Sequence, residues 1–248
     1  MRRIAIITGG SRGIGAATAE LAAETGYDVC INYVSDKAAA ERTVAACEQH
    51  GARAIAVKAD ITSPADVETL FATCDAQLGR IALLVNNAGT VGKTGPLVDL
   101  PDEALKETFA INVFGSVYCA QQAIRRMAKS AGGDGGAIIN VSSVAARLGS
   151  AGEYVHYAAS KGAIDTLTIG LAKEVGPEGI RVNAIRAGTT NTDIHARMGN
   201  PDRPAMVAQM APLRRVAEPG DIAEAIIWCA SEKAGFATGA ILDIAGGL

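Results

Sequence analysis

The sequence predicts an α/β fold, a doubly wound parallel sheet of seven strands with helices on both faces, and three observations carry that reading. Short apolar runs alternate with helical patterns along the 248 residues, as βαβ units joined by right-handed crossovers require. The first run feeds a glycine-rich turn and then an alanine-rich helix, the half-unit that seats an anion on a helix N-terminus. Composition is the third: 49% of residues are hydrophobic but only 4% aromatic. That balance suits Ala, Val and Ile packed between helices and a sheet buried on both faces.

In order along the chain, Ile4-Ala5-Ile6-Ile7 marks a strand near residues 3–8, and Gly9-Gly10-Ser11-Arg12-Gly13-Ile14-Gly15 is the turn after it. A helix runs from about Ile14 to Glu24. Further strands are expected near 28–33, 53–58, 81–86, 137–142, 180–186 and 240–244, with long helices over roughly 101–130 and 153–175. The run Gly132-Gly133-Asp134-Gly135-Gly136 punctuates the approach to the fifth strand and is not a domain linker. A chain of this length buries a large core without splitting, so residues 1–248 are expected to form one domain. Its polar, Met-containing stretch at about 193–213, with Pro201, Pro204 and Pro212, reads as a substrate lid.

Charge and cysteine usage narrow the function classes. The formal net charge is −3 with no basic stripe, which argues against nucleic acid as a partner. Cys30, Cys47, Cys74, Cys119 and Cys229 are scattered without a Cys-x-x-Cys. They read as reduced thiols of a cytoplasmic protein, neither metal ligands nor a disulfide frame, and no metal is expected. Met1-Arg2-Arg3 resembles the charged start of a signal peptide, but the apolar run after it ends at glycine within a few residues. No segment is long enough to span a membrane.

The chemistry concentrates in Tyr157-Ala158-Ala159-Ser160-Lys161. At four-residue spacing on a helix, phenol and ammonium share a face. A free tyrosine titrates near about 10, and a nearby cation favours the phenolate, so Lys161 is expected to lower the Tyr157 pKa. A tuned tyrosine exchanges a proton with a carbonyl or alcohol oxygen while another group delivers or accepts hydride. Ser142-Ser143 closes the fifth strand, where functional residues of open α/β sheets collect. Asn112 lies in an otherwise apolar helix and needs a partner. Tyr154 has Ala158 at its i+4 position, and His156 points elsewhere on the helix, to the surface or a substrate rim.

Thr8 to Gly15, Asn86-Asn87-Ala88-Gly89 and Tyr157 to Lys161 occur in that order, and together they resemble the short-chain dehydrogenase/reductase family across essentially the whole chain. The glycine spacing, Gly9-x-x-x-Gly13-x-Gly15, departs from the general G-x-G-x-x-G fingerprint in the way that family's does. The resemblance implies a Rossmann fold, hydride transfer between a nicotinamide and a carbonyl or secondary alcohol, a small-molecule substrate and a homotetramer. It implies catalytic roles for Asn112, Ser143, Tyr157 and Lys161. Ser143 orients the oxygen, Tyr157 exchanges the proton, Lys161 also holds the nicotinamide ribose, and Asn112 holds a water of a proton relay.

The resemblance places the dinucleotide against Gly9, Ser11, Arg12, Gly13, Ile14 and Gly15, and against Asn32 and Tyr33 at the end of the second strand. Asn87, Ala88 and Gly89, with Gly188, Thr190 and Thr192, complete the set. Asp60-Ile61 matches the adenine-contacting pair, although Asp60 before Thr62-Ser63-Pro64 equally suits the start of a helix. Tyr33 stands where NAD-selective members carry an acid, and Arg12 is placed to meet a 2′-phosphate. NADP(H) is therefore expected to be preferred, with NAD(H) possible and nothing repelling the phosphate. Ala187 replaces a proline of the family's turn, which loses rigidity there. Among known activities the chain is similar to 3-oxoacyl-carrier-protein reductases and sugar dehydrogenases. Arg125, Arg126 and Lys129 offer a basic cluster for an acidic carrier, while Glu178 stands where such reductases often carry a base. A non-catalytic NADP-binding regulator on the same fold is the alternative of a different class.

Overall fold

The computed structural model describes residues 2–193 and 202–248. Seven parallel strands form one sheet in the order β3-β2-β1-β4-β5-β6-β7. They are β1 Arg3–Ile7, β2 Tyr27–Tyr33, β3 Ala54–Lys58, β4 Leu83–Asn86, β5 Gly136–Ser143, β6 Ile180–Ala187 and β7 Ile241–Ile244. All seven fall where the apolar runs predict them.

Strand alternation sends successive side chains to opposite faces, and the two halves of the core follow from it. Ala5 and Ile7 face α1 (Gly13–Glu24) and the helix Pro219–Ala230, here α9, through Ala19, Ala22, Ile222 and Ile226. Ile4 and Ile6 face α3 (Pro64–Gln77) and α5 (Ser116–Met127) through Leu70, Phe71, Cys119 and Met127. Alanines let α1 approach the sheet closely, which places its N-terminus directly above the end of β1.

Two helix starts are written locally. Asp36 accepts from Ala39 N at 2.9 Å and caps α2 (Lys37–Gln49). Ser63 accepts from Asp66 N at 3.2 Å and caps α3, whose first residue is Pro64. The expected helix over 101–130 is divided: α4 (Asp102–Phe109) passes through a π-helical turn, Ala110–Gly115, into α5. Such turns gather at functional sites, and this one contains Asn112. The second expected long helix is α7, Val155–Val175. A short α6 (Ala145–Leu148) precedes it, and α8 (Arg203–Met210) precedes α9. Strand order reverses between β1 and β4, so a crevice opens there at the carboxyl ends of the strands.

Candidate active site

The glycine turn is held from both sides by side-chain amides. Asn32 of β2 accepts from Gly9 N and donates to Ala59 O, both at 2.8 Å. Asn87 donates to Thr8 O at 2.8 Å and to Gly9 O at 3.2 Å. Thr8 Oγ1 accepts from the N–H groups of Asn87 and Ala88, each at 3.0 Å. Asn32 thus has both amide ends engaged within the chain: its side chain shapes the loop and does not face an open site.

Space around the turn explains its glycines. A Cβ on Gly10 would lie 2.4 Å from Ile31 Cγ2, and one on Gly15 2.4 Å from Gly9 O. Gly13 has φ +53° and lies against Thr192, whose Cγ2 would be 3.1 Å from an added Cβ. Arg12, the N-cap of α1, provides no side-chain cap. The first N–H groups of such a helix suit a group of negative charge. Ser11 lies in the turn itself, while Ile14 packs partly into the core.

The expectation that nothing here repels a 2′-phosphate is corrected. Arg12 pairs with Asp36 at 3.2 Å and with Asp193 at 3.0 Å. A carboxylate is therefore present after β2, three residues beyond Tyr33, and the guanidinium is shared between two acids. Asp60 accepts from Thr62 N and Thr62 Oγ1 at 2.9 and 2.8 Å, which fits the helix-start reading, and its side chain is exposed. Ile61 is buried, packed beneath Gly115.

Across the crevice, Gly188 donates to Ile244 O at 2.9 Å, and a Cβ on it would sit 2.7 Å from Ala245 Cα. Thr190 Oγ1 donates to Gly188 O at 3.0 Å. The turn is not slack at Ala187: this buried residue stays in register with Ser143, and its oxygen accepts from Val144 N at 3.1 Å.

Ser143, Tyr157 and Lys161 meet at the carboxyl end of β5. Ser143 stands beside Tyr157 and its hydroxyl lowers the phenol's proton affinity, and its Oγ accepts from Ala145 N at 3.1 Å. Lys161 is buried, and its Nζ donates to Val141 O at 2.7 Å and lies 5.8 Å from the Tyr157 ring centroid. Ser142 Oγ donates to Lys161 O at 3.3 Å and braces the helix against the strand. A Cβ on Gly89 would come within 3.5 Å of Lys161 Nζ, so glycine keeps that approach open.

The proton affinities run against expectation. Burial pushes the Tyr157 phenol up to about 12, opposed by the Ser143 hydrogen bond. Burial pushes Lys161 down to about 8, opposed by Asp165. Desolvation is the largest cause at both groups, and Lys161 Nζ is turned toward Val141 O.

Asn112 is fully engaged at its side chain. Its Oδ1 accepts from Thr90 N at 2.8 Å, and its Nδ2 donates to Thr90 O at 2.8 Å and to Ser160 Oγ at 3.0 Å. It clamps the loop after β4 to α7. Asn86 bridges strands, donating to Asn140 Oδ1 at 3.0 Å. His156 is neither at the surface nor on a rim: it is 4% exposed, with Nε2 3.1 Å from Val91 O. Tyr154 packs edge-on against Tyr157, centroids 5.6 Å apart, and its hydroxyl accepts from Arg203. Arg203 also pairs with Glu153 at 2.9 Å. Of the expected lid, residues 194–201, including Met198 and Pro201, lie outside the described residues. Sequence reasoning missed Thr90, Ser160 and Asp165, although Asp165 follows Lys161 at helical spacing. The basic cluster is dispersed: Arg126 pairs with Asp75 at 2.6 Å, and Lys129 lies beside Glu178.

Comparison with known proteins agrees with this fold. The family model described as enoyl-(acyl carrier protein) reductase matches residues 9–248. A short-chain dehydrogenase from Burkholderia cenocepacia J2315, solved in complex with NADP, superposes with a TM-score of 0.91 at 33% identity, covering 99% of this chain and 97% of that one. The chain belongs to the short-chain dehydrogenase/reductase family. Within that family it is similar to the uncharacterized oxidoreductase YgfF of Escherichia coli (strain K12), 46% identical over 98% of this chain and 99% of the relative. It is also 35% identical to an L-rhamnose 1-dehydrogenase (NAD(P)(+)) of Sphingomonas sp. (strain SKA58), over 98% of this chain and 94% of the relative.

Proposed function

We propose that this chain is an NADP(H)-preferring oxidoreductase that moves hydride between a nicotinamide and the carbon of a carbonyl or secondary alcohol in a small-molecule substrate. The observation that carries the reading is the meeting of Ser143, Tyr157 and Lys161 across the crevice from an uncapped helix N-terminus framed by glycines. That cradle fits a dinucleotide: glycine backbone and the α1 N-terminus suit the pyrophosphate, and the opening over Gly89 suits the ribose beside Lys161. A nicotinamide bound there would supply or accept the hydride. Ser143 holds the substrate oxygen as charge develops, and Tyr157 exchanges its proton. Lys161 holds the ribose and supports Tyr157 electrostatically once both are in use. Asn112 keeps the Thr90 loop and Ser160 in place around them. The mechanism calls on no metal.

A phenol near about 12 is protonated at neutral pH, so Tyr157 is ready as the acid for carbonyl reduction. Alcohol oxidation needs the phenolate and rises with pH. Arg12 favours a 2′-phosphate, but Asp36 and Asp193 compete for it, so NAD(H) is used as well. Names of relatives support both cofactors, one solved with NADP and one called NAD(P)(+).

The described part of the lid, Asp202 to Leu213, walls the substrate side through Arg203, with Met206 and Met210 exposed beside it. Exposed Phe114, Ile169 and Trp228 support a homotetramer, and five buried free cysteines support a cytoplasmic setting. Among the described residues no helix is long and apolar enough to cross a membrane.

The test is a screen of purified protein with NADPH and NADH against ketoesters, diketones, sugars and steroids, with the alcohols run in reverse. Turnover of at least one carbonyl, faster with NADPH, is expected. Cofactor binding without turnover of any substrate in either direction would favour the regulator.

A further inference from the structure

Behind Lys161 lies a buried carboxylate that the mechanism above does not use. Asp165 follows Lys161 by one turn of α7, so the two side chains share a face; they are 6% and 5% exposed. Asp165 Oδ2 accepts from Arg186 Nε at 2.9 Å, while Oδ1 is buried with no hydrogen-bond partner among the described residues. Arg186 continues to Asp243 on β7 at 3.3 Å, and Asp243 pairs with Arg147 of α6 at 3.4 Å. Arg147 donates to Leu248 O at 2.7 Å. A chain of alternating charges therefore runs from beside Lys161 to the exposed edge of the sheet.

A dry carboxylate oxygen without a partner is costly unless a cation lies near it. Arg186 engages the other oxygen, and Lys161, one turn back on the same buried helix face, is a second cation with its Nζ on Val141 O. Asp165 opposes the burial that drives Lys161 toward its neutral form. Other charged or titratable neighbours of Lys161 are few. Tyr157 shares its helix, and His156 turns away to Val91 O. From β5 the neighbours are the neutral Val141 O and Ser143, and from the loop after β4 and the π-turn they are Gly89 and Asn112. Arg186, Asp243 and Arg147 stand behind Asp165.

We propose that Asp165 is a positioning residue: held by the chain of Arg186, Asp243 and Arg147, its carboxylate keeps Lys161 charged and ready for the cofactor. The inference rests on the role given to Lys161 above, and its first measurement uses the cofactor-free full chain so that the two stand or fall separately. Lysine labelled with carbon-13 at Cε is titrated by NMR, the Lys161 signal being assigned by its loss in Lys161→Arg. A midpoint near about 8 is expected in the parent. In Asp165→Asn it moves down by about one unit or more, as removal of a unit charge one helical turn away in a partly dry site predicts. Because that variant leaves Arg186 half paired, the double variant D165N/R186Q removes both charges and is expected to shift in the same direction. NADPH affinity, read by cofactor fluorescence, should fall in both variants near about pH 8 and recover near about pH 6, where Lys161 is charged in every protein. An unmoved midpoint, or a loss of affinity equal at both pH values, overturns the proposal and marks Asp165 as structural. A shifted midpoint in a protein that reduces no carbonyl upholds the proposal and removes the reaction.

Discussion

At the glycine-turn end of the crevice, the polar side chains that shape the loop are neutral and paired within the chain: Asn32 with Gly9 and Ala59, Asn87 with Thr8 and Gly9. At the Tyr157 end, two ionisable groups are held out of water, the phenol pushed up to about 12 and the ammonium down to about 8. The first arrangement stabilises the fold while it preforms a binding surface. The second costs stability at neutral pH through the buried ammonium and keeps the phenol protonated, ready to act as an acid. A binding surface needs only geometry, which satisfied amides provide. Acid–base chemistry needs displaced proton affinities, and burial displaces them at the expense of stability.

The largest effect that would sharpen this contrast comes from Asn32→Ala. It leaves Gly9 N–H and Ala59 O without their partner, at about 1–3 kcal/mol for each buried group left unpaired. Urea unfolding should show a loss of about 2–4 kcal/mol, with weaker NADPH binding because the loop loosens. A fully stable variant would break the claim that this end supports the fold.

The opposite sign is expected at Lys161. Its folded pKa, about 8, lies below its unfolded value of 10.5. Between those values the unfolded chain binds more protons, so this group's contribution to stability rises with pH through that window, and its cost is fully present below about 8. Lys161→Met removes the cost and leaves Val141 O without its donor, so a net gain of about 1–3 kcal/mol is expected near neutral pH. The gain shrinks toward about pH 10, which urea unfolding at the two pH values checks. A destabilised variant at neutral pH would contradict the contrast.

The smallest effect is at the rim between the two ends. Asp36→Asn frees Arg12 from one of its two exposed carboxylates, and such pairs contribute about 0–1 kcal/mol. NADPH affinity should rise by a few fold, up to about fivefold, with NADH unchanged or slightly weaker. Titration of both cofactors reads this, and an equal change for both would show that Asp36 does not act through the 2′-phosphate.

The sheet was legible because parallel strands buried on both faces leave continuous apolar runs, such as Ile4 to Ile7, that few other structures use. Tyr157 and Lys161 were legible because helical spacing places them together whatever surrounds them. The bracing role of Asn32 was not legible, because a polar residue at a strand end looks like a ligand contact until Gly9 N and Ala59 O are seen on either side of its amide. The direction of the Tyr157 shift was also hidden, because spacing reveals the nearby cation but not the loss of water that raises the phenol. Asp165 needed the third dimension too, since it lies on α7 and its partner Arg186 arrives on β6, 21 residues later.

The most direct test of the division is Tyr157→Phe, assayed for NADPH affinity and for turnover on the same preparation. Only the proton-exchanging hydroxyl is removed, so turnover should fall by about 10²–10⁴-fold while the NADPH dissociation constant stays within about twofold, a change of under about 0.5 kcal/mol. Near-parental turnover, or a loss of NADPH binding as large as the loss of turnover, would contradict the assignment of chemistry to this end and binding to the other.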